Sequence, residues 1–173
     1  MSNTRIGRRF AELRAKNEPA LVAYITAGDP SLEATVGLVA ALERGGADII
    51  ELGVPFSDPI ADGPVIMRGA ERALAAGASL RGVLDCAAKI REHSEVPILL
   101  FSYLNPLMRY GFAQLAIDAK AAGVDPKRLQ ASIEKRVQEA FGGNPMSARV
   151  VPLKAEDVLK GFQGSAAHKT ATQ

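Results

Sequence analysis

Apolar residues recur along this chain with two alternating spacings. In some segments they stand three or four positions apart, as Ile6, Phe10 and Leu13 do, and this spacing predicts amphipathic helices. In others they form short unbroken runs, which predict strands buried on both faces. The predicted helices are one that contains Ile6, a second over 32–44, a third that ends near 77, a fourth over 80–93 and a fifth over 112–122. The predicted strands cover 21–26, 47–52 and 96–103. Strands that alternate with helices in this way predict βα units in a parallel sheet.

The junction between helix and strand repeats along the chain, and the repeat predicts a domain boundary. Gly46-Ala47-Asp48 leads into the second strand, and Gly123-Val124-Asp125 is expected to lead into a fourth. Pro126-Lys127-Arg128 follows instead of an apolar run, so we expect a first domain over 1–125 and a tail over 126–173. The tail is expected to hold a helix marked by Leu129, Ile133 and Val137, a short strand at 149–153, and disorder from Gly164 onward.

Length, composition and charge are those of an ordinary globular chain. The 173 residues are 47% hydrophobic and 23% charged, which allows one domain with a sizeable core. A net charge of +2 gives no reason to expect binding to nucleic acid or to a membrane surface. The single cysteine, Cys86, cannot form an intrachain disulfide, and its apolar helical setting predicts a buried core residue rather than a nucleophile. Because the sequence shows neither an apolar signal core nor a membrane-spanning run, a cytoplasmic protein is expected.

Three carboxylates lie in and after the second predicted strand, in the segment ELGVPFSDPIADGP. Glu51 is predicted at the end of that strand, and Asp58 and Asp62 lie in a loop rich in proline. Chemistry in βα folds gathers at the carboxyl ends of the strands. There, burial can tune one carboxylate for proton transfer while a second stabilises positive charge on a substrate. The alternative is that Glu51 and Asp62 pair with arginines or cap the next helix.

Three segments together resemble the tryptophan synthase alpha chain, namely YITAGDPSLE, GGADIIELGVPFSDPIADGPVI and SYLNPLMRYG. The resemblance runs from about Arg9 to Asp125. It implies an α/β fold made of the first three βα units of a TIM (β/α)8 barrel, followed by an unrelated and mostly helical tail. It also implies a lyase of tryptophan biosynthesis that cleaves indole-3-glycerol phosphate to indole and glyceraldehyde 3-phosphate by a retro-aldol reaction. This resemblance implies no cofactor and no metal in the chain itself.

The resemblance assigns roles to individual residues. Glu51 matches the family's general acid–base, which protonates the indole ring carbon and removes the proton of the side-chain hydroxyl. Asp62 matches the carboxylate that binds the indole N–H and stabilises the cationic ring. Tyr24, Phe101 and Tyr103 match the apolar pocket for indole, although an aromatic residue in a strand is more often ordinary core.

The resemblance also implies a partner, the tryptophan synthase beta chain, in an alpha2beta2 complex. The beta chain carries pyridoxal phosphate (PLP) and receives the indole. The positions that resemble the surface facing it are Pro55, Asp58, Asn105 and Pro106. For Asp58 the alternative is a turn residue that hydrogen-bonds its own backbone.

The second half of the sequence departs from the family. A barrel of this kind takes about 250 residues and binds phosphate through the loops after strands seven and eight. The three predicted strands do not supply those loops, so we expect a truncated or fused lyase with little activity alone. One alternative is a non-catalytic fragment that retains the loop facing the beta chain. A Schiff-base aldolase is disfavoured because Lys89 and Lys120 lie on predicted helices rather than at strand ends.

Overall fold

A computed structural model of the protein describes residues 4–124. In chain order the elements are α1 (Arg5–Lys16), β1 (Val22–Thr26), α2 (Leu32–Arg44), β2 (Ile49–Gly53), α3 (Pro64–Ala75), α4 (Leu80–Arg91), β3 (Ile98–Phe101), α5 (Leu104–Tyr110) and α6 (Phe112–Ala121). Within this range no helix is both long enough and apolar enough to cross a membrane. The helix, strand and disordered end predicted for the tail lie outside the described residues.

The three strands form one parallel sheet in the order β1-β2-β3, which confirms the predicted βα arrangement. Glu51 of β2 pairs in register with Tyr24 of β1 and with Leu99 of β3. Residues paired in register point to the same face of a sheet, and neighbours along a strand point to opposite faces. The side chains of Tyr24, Glu51 and Leu99 therefore share one face, which we call the inner face.

The opposite face of the sheet holds the main hydrophobic core. Ile50 and Leu52 of β2 and Leu100 of β3 are completely buried there. The helices α2, α4 and α6 complete this core with Val39, Val83, Leu84, Ile90 and Leu115. Burial of each such side chain stabilises the fold by about 1.5–3 kcal/mol relative to exposure. Cys86 lies in the same core and is 2% exposed, so the prediction of a buried core cysteine is confirmed.

Helix α1 covers the amino-terminal end of the inner face. Its residues Ile6 and Phe10 pack against Ile49 of β2 and Leu99 of β3, so the apolar side of the predicted amphipathic helix lies on the sheet. The helix begins after Thr4, whose hydroxyl accepts a hydrogen bond from a backbone N–H of the first turn at 3.1 Å. Because α1 fills this end, the rest of the inner face lies toward the carboxyl ends of the strands.

A buried carboxylate ties α1 to the beginning of the sheet. Asp48 is 6% exposed, and its Oδ2 accepts a hydrogen bond from the backbone N–H of Leu21 at 2.6 Å. Its Oδ1 accepts two more from Nε and Nη2 of Arg9, at 2.8 and 2.6 Å. The bond from Leu21, assisted by the bonds from Arg9, lowers the pKa of Asp48 below its ordinary value although burial opposes this. Asp48 thus fixes the starts of β1 and β2 against α1.

The repeated helix-to-strand junction is present in the structure up to the last described residue. Gly46 and Gly123 both adopt a positive φ, +95° and +75°, a conformation that glycine enters at little cost. In each case the next N–H, that of Ala47 or Val124, donates to a helix carbonyl five residues back, at 3.0 and 2.9 Å. Asp125, the counterpart of the buried aspartate in this repeat, lies outside the described residues.

The structure differs from the sequence prediction around the third strand. β3 ends at Phe101 rather than at 103, and α5, a helix that was not predicted, follows it. Pro106 is compatible with this helix because it lies in the first turn, where a backbone N–H has no helical partner. All three strands also begin later than predicted, at Val22, Ile49 and Ile98. For β3 the reason is Pro97, which has no N–H to donate to a neighbouring strand.

Candidate active site

Glu51 lies in the middle of β2 rather than at its end, because the strand continues to Gly53. Its side chain is half-buried on the inner face, between Tyr24 and Leu99 on the neighbouring strands. Within residues 4–124, its carboxylate takes part in no ion pair or hydrogen bond, so the alternative of an arginine partner is not seen there. The carboxylate therefore lies on the inner face without an ion-pair partner among the described residues.

Tyr24 and Phe101 meet across β2, over Gly53. Their ring centroids lie 5.8 Å apart with an interplanar angle of 86°, the edge-to-face arrangement that aromatic pairs prefer. A β-carbon on Gly53 would lie 2.1 Å from the hydroxyl oxygen of Tyr24, so only glycine leaves room for this phenol. Two of the three predicted pocket residues thus contact each other on the strands that flank Glu51. Gly53 was not predicted as part of the site, although a glycine inside a strand often marks such a close approach.

The loop between β2 and α3, residues 54–63, is held at both ends. At its start the N–H of Val54 donates to the carbonyl of Phe101 at 2.7 Å, which joins the loop to the end of β3. Near its end the N–H groups of Ile60 and Asp62 close tight turns on loop carbonyls, both at 3.0 Å. These hydrogen bonds hold the β2–α3 loop at both of its ends.

Tyr103 is placed differently from the other two aromatic residues. It lies beyond the end of β3 and is the N-cap residue of α5. Its ring packs on Phe56 of the β2–α3 loop, with 5.2 Å between the centroids. Its hydroxyl accepts a hydrogen bond from the backbone N–H of Ala61 at 3.0 Å. These contacts connect Tyr103 to the loop that carries Asp62.

Asp62 is half-buried and lies in the last turn of the β2–α3 loop, immediately before α3. The N-cap residue of α3 is Gly63 and the first helical residue is Pro64, so Asp62 directly precedes the cap position. A loop that follows β2 lies at the carboxyl edge of the sheet. Asp62 is thus on the edge toward which the inner face opens beyond Glu51.

An ion pair that the sequence analysis did not single out joins the loop after β1 to α3. Both oxygens of Asp29 accept hydrogen bonds from Arg72, from Nε at 2.9 Å and from Nη2 at 2.6 Å. These bonds lower the pKa of Asp29 below its ordinary value. Gly69 allows the close approach, since a β-carbon there would lie 3.2 Å from both Asp29 Oδ2 and Thr26 Oγ1. The helix that follows Asp62 is thereby anchored to the neighbouring βα unit.

The four positions predicted to face a partner differ in exposure. Asp58 and Asn105 are exposed, Pro106 is half-buried, and Pro55 is buried. Exposed apolar side chains occur in the same two segments, namely Ile60 at 85%, Leu104 at 47% and Met108 at 53%. Apolar surface rimmed by polar residues is typical of a site where another protein binds.

Comparison with known sequences places these features in a family. The family described as tryptophan synthase alpha chain matches residues 10–127. The tryptophan synthase alpha chain of Solibacter usitatus is 63% identical over 133 residues, which are 76% of this chain and 50% of that protein. The one from Geobacter sulfurreducens is 53% identical over 122 residues, 70% of this chain and 46% of that protein. The chain spans about half the length of these curated relatives.

Solved structures agree with this similarity. The crystal structure of tryptophan synthase subunit alpha from Legionella pneumophila matches with a TM-score of 0.71 and 40% identity, covering 80% of this chain and 56% of that one. A structure of tryptophan synthase from Mycobacterium tuberculosis matches with a TM-score of 0.66 and 40% identity, covering 70% and 49%. The resemblance found in the sequence is confirmed, and residues 4–124 form three βα units of a partial TIM barrel.

Proposed function

This chain belongs to the tryptophan synthase alpha chain family, and we propose that its inner face and β2–α3 loop carry that family's lyase chemistry. The reaction is the retro-aldol cleavage of indole-3-glycerol phosphate to indole and glyceraldehyde 3-phosphate, a step of tryptophan biosynthesis. The observation that carries the proposal is the carboxylate of Glu51, which is half-buried, flanked by strands that bear aromatic residues, and without an ion pair among the described residues.

Glu51 is the acid–base of the proposed reaction. In its protonated form it donates a proton to the indole ring carbon that bears the glycerol phosphate side chain. As a carboxylate it then takes the proton of the side-chain hydroxyl while the carbon–carbon bond breaks and its electrons return to the ring. Because Glu51 gives one proton and takes one back, it ends the reaction in its starting form. Its position on a strand that is paired on both sides keeps it fixed in the sheet.

Asp62 and the aromatic residues hold the ring in this proposal. The carboxylate of Asp62 accepts a hydrogen bond from the indole N–H and stabilises the positive charge that forms when the ring carbon is protonated, an effect worth roughly 3 kcal/mol. Tyr24 and Phe101 border the indole on the inner face, and Tyr103 borders it from the loop side. The support is that Tyr24 and Phe101 lie on the strands that flank Glu51, and that the hydroxyl of Tyr103 bonds the loop that carries Asp62.

The proposed partner is a tryptophan synthase beta chain in an alpha2beta2 complex. The alpha-type chain needs no cofactor for its own step, and the PLP of the beta chain serves the step that consumes indole. Asp58, Asn105 and Pro106 offer the contact surface, and buried Pro55 shapes the loop beneath it. The cytoplasm is the proposed location, as the sequence led us to expect.

A division of the chain at Asp125 remains part of the proposal, with a barrel half over 1–125 and a separate tail over 126–173. Its support is the loss of the apolar pattern at Pro126. The alternative function is a non-catalytic fragment or fusion product that retains the surface facing the beta chain. It is favoured by the fact that the described residues contain three strands, whereas a barrel of this kind closes with eight.

Indole release from indole-3-glycerol phosphate, measured with saturating beta chain, tests the proposal. Two proteins are compared. One is the 173-residue chain, and the other joins residues 1–124 to the part of the Solibacter usitatus relative that follows the position aligned with residue 124. The completed barrel is expected to turn over substrate and the 173-residue chain to do so far more slowly, because loops that bind phosphate position the substrate. A well-folded completed barrel without lyase activity would favour the alternative.

Glu51→Gln and Asp62→Asn in the completed barrel test the two roles. Glu51→Gln removes a proton carrier and little volume, so turnover should fall by about a hundredfold or more while substrate still binds. Asp62→Asn should lower turnover by a similar factor through lost charge stabilisation. Glu92→Gln is the matched control, since Glu92 is exposed after the end of α4. A Glu51→Gln variant that keeps most of its rate would show that another group transfers the proton.

A further inference from the structure

The hydrogen bond between Ala61 and Tyr103 links two separate βα units. Ala61 lies in the β2–α3 loop directly before Asp62, and Tyr103 lies between β3 and α5. The backbone N–H of Ala61 donates to the hydroxyl oxygen of Tyr103 at 3.0 Å, across 42 positions of sequence. The bond therefore fixes the loop with respect to the end of β3.

Tyr103 is itself firmly placed. Its backbone adopts φ −71° and ψ 159° as the N-cap residue of α5, and its ring packs on Phe56 at the other end of the loop. The hydroxyl of Ser102 donates to the carbonyl oxygen of Tyr103 at 3.0 Å. A residue held through its backbone and its ring offers a fixed hydroxyl, and such an acceptor can restrain a loop.

The loop hydrogen bonds on either side of Ala61 are of a different kind. The N–H groups of Ile60 and Asp62 donate to the carbonyls of Asp58 and Pro59, within the loop, at 3.0 Å each. Those bonds set the internal shape of the turn but not its position on the sheet. The N–H of Ala61 leaves the loop, and because Ala61 is exposed, this bond rather than burial protects it from water.

We infer that Tyr103 is a positioning residue for Asp62. Its hydroxyl holds the peptide that precedes Asp62, and so fixes the distance between that carboxylate and Glu51 on β2. This role differs from that of a pocket wall, which the ring alone would fill. The catalytic meaning of the inference rests on the proposed function, because a carboxylate displaced by about 1 Å stabilises a transition state poorly.

Amide hydrogen exchange in the 173-residue chain tests the contact without any need for activity. Tyr103→Phe keeps the ring and removes the hydroxyl. The exchange rate of the Ala61 amide is expected to rise roughly fivefold to tenfold, which corresponds to the loss of one ordinary hydrogen bond. The amides of Leu52 and Leu100 in the sheet should keep their wild-type rates. The control is Tyr110→Phe, which removes the phenol hydroxyl bonded to Asp118 and should leave Ala61 unchanged.

Kinetics of indole release in the completed barrel distinguishes a positioning role of Tyr103 from a role in substrate binding. Tyr103→Phe is expected to lower kcat several-fold and to change KM by less than about twofold, because the apolar ring is kept and the transition-state contact is impaired. Unchanged exchange at Ala61 would overturn the inference, and so would faster exchange throughout β2 and β3, which would indicate a general structural role. Faster exchange confined to the loop, together with a well-folded completed barrel that lacks lyase activity, would support the positioning and contradict the proposed function.

Discussion

The phenol of Tyr24 occupies the space that a side chain on Gly53 would fill. A β-carbon at Gly53 would lie 2.1 Å from the Tyr24 hydroxyl oxygen and 2.6 Å from its Cζ. Gly53 follows Glu51 by two residues and therefore shares its face of the sheet. The glycine lets an aromatic side chain from β1 reach across β2 to Phe101, and the aromatic pair borders the carboxylate.

Gly53→Ala should therefore disturb both stability and the candidate site. The alanine methyl forces Tyr24 out of its position, and overpacking of this kind costs about 1–3 kcal/mol of unfolding free energy. Urea unfolding of the completed barrel at one fixed protein concentration measures the loss. A fall in kcat for indole release should accompany it, because the aromatic pair next to Glu51 is displaced.

Gly37→Ala is the matched control for this substitution. Gly37 lies in α2, and a β-carbon there would meet no atom within 4 Å. Alanine in place of a helical glycine should raise the free energy of unfolding by up to about 1 kcal/mol. If Gly53→Ala were as harmless as Gly37→Ala, the close approach of Tyr24 would not restrict position 53.

The comparison of sequence and structure shows which features a pattern can predict. Unbroken apolar runs predicted all three strands, and β2 and β3 are largely buried on both faces as such runs lead one to expect, whereas β1 is only partly buried. The pattern missed α5, because a helix of seven residues is too short for a repeating apolar spacing to show. It also missed the role of Gly53 and the hydrogen bond to Tyr103, since both depend on side chains that meet only after the strands pair. The candidate acids Glu51 and Asp62 could be predicted from the residues next to them in the sequence. The residues that surround them in the folded protein could not.

Asp48 should make stability depend on pH in the acid range. Its pKa is lowered in the folded protein by the N–H of Leu21 and by Arg9, so its contribution is fully present above the unfolded pKa of about 3.9 and is lost as pH falls through the folded pKa. Asp48→Asn should lower the free energy of unfolding by about 2 kcal/mol near neutral pH, a figure moderated by the partial exposure of Arg9. The difference in unfolding free energy between the parent protein and the Asp48→Asn variant should shrink below about pH 4.

Glu12→Gln is the control for this pH effect. Glu12 pairs with the same arginine at 2.9 Å, but its side chain is 57% exposed. An exposed pair contributes little, so the variant should lie within about 0.5 kcal/mol of the parent protein. Equal losses from Asp48→Asn and Glu12→Gln would mean that burial of Asp48 does not strengthen its interactions.

Cys86 should resist thiol reagents in the folded protein. Burial raises the pKa of its thiol to about 11, and its Sγ lies 3.5 Å from the carbonyl oxygen of Leu32 as a donor. At pH 8 the thiolate is therefore scarce as well as inaccessible. Reaction with a chromogenic disulfide should be slow without denaturant and complete in urea. Rapid native reaction would show that α4 opens on the time scale of the assay.

The 173-residue chain should associate with itself through the edges of its sheet. In the described part of the chain, β1 and β3 each pair on one side, and an unpaired strand edge is a template for another strand. Leu21 and Val22, at the start of β1, are 54% and 44% exposed. Size-exclusion chromatography with light scattering should give a mass above that of a monomer.

Val22→Lys places a charge at the β1 edge and should reduce association. Leu38→Lys is the control, since Leu38 is similarly exposed, at 41%, but lies on α2. A monomer with a sharp cooperative melt would contradict self-association and would mean that residues outside 4–124 cover these edges.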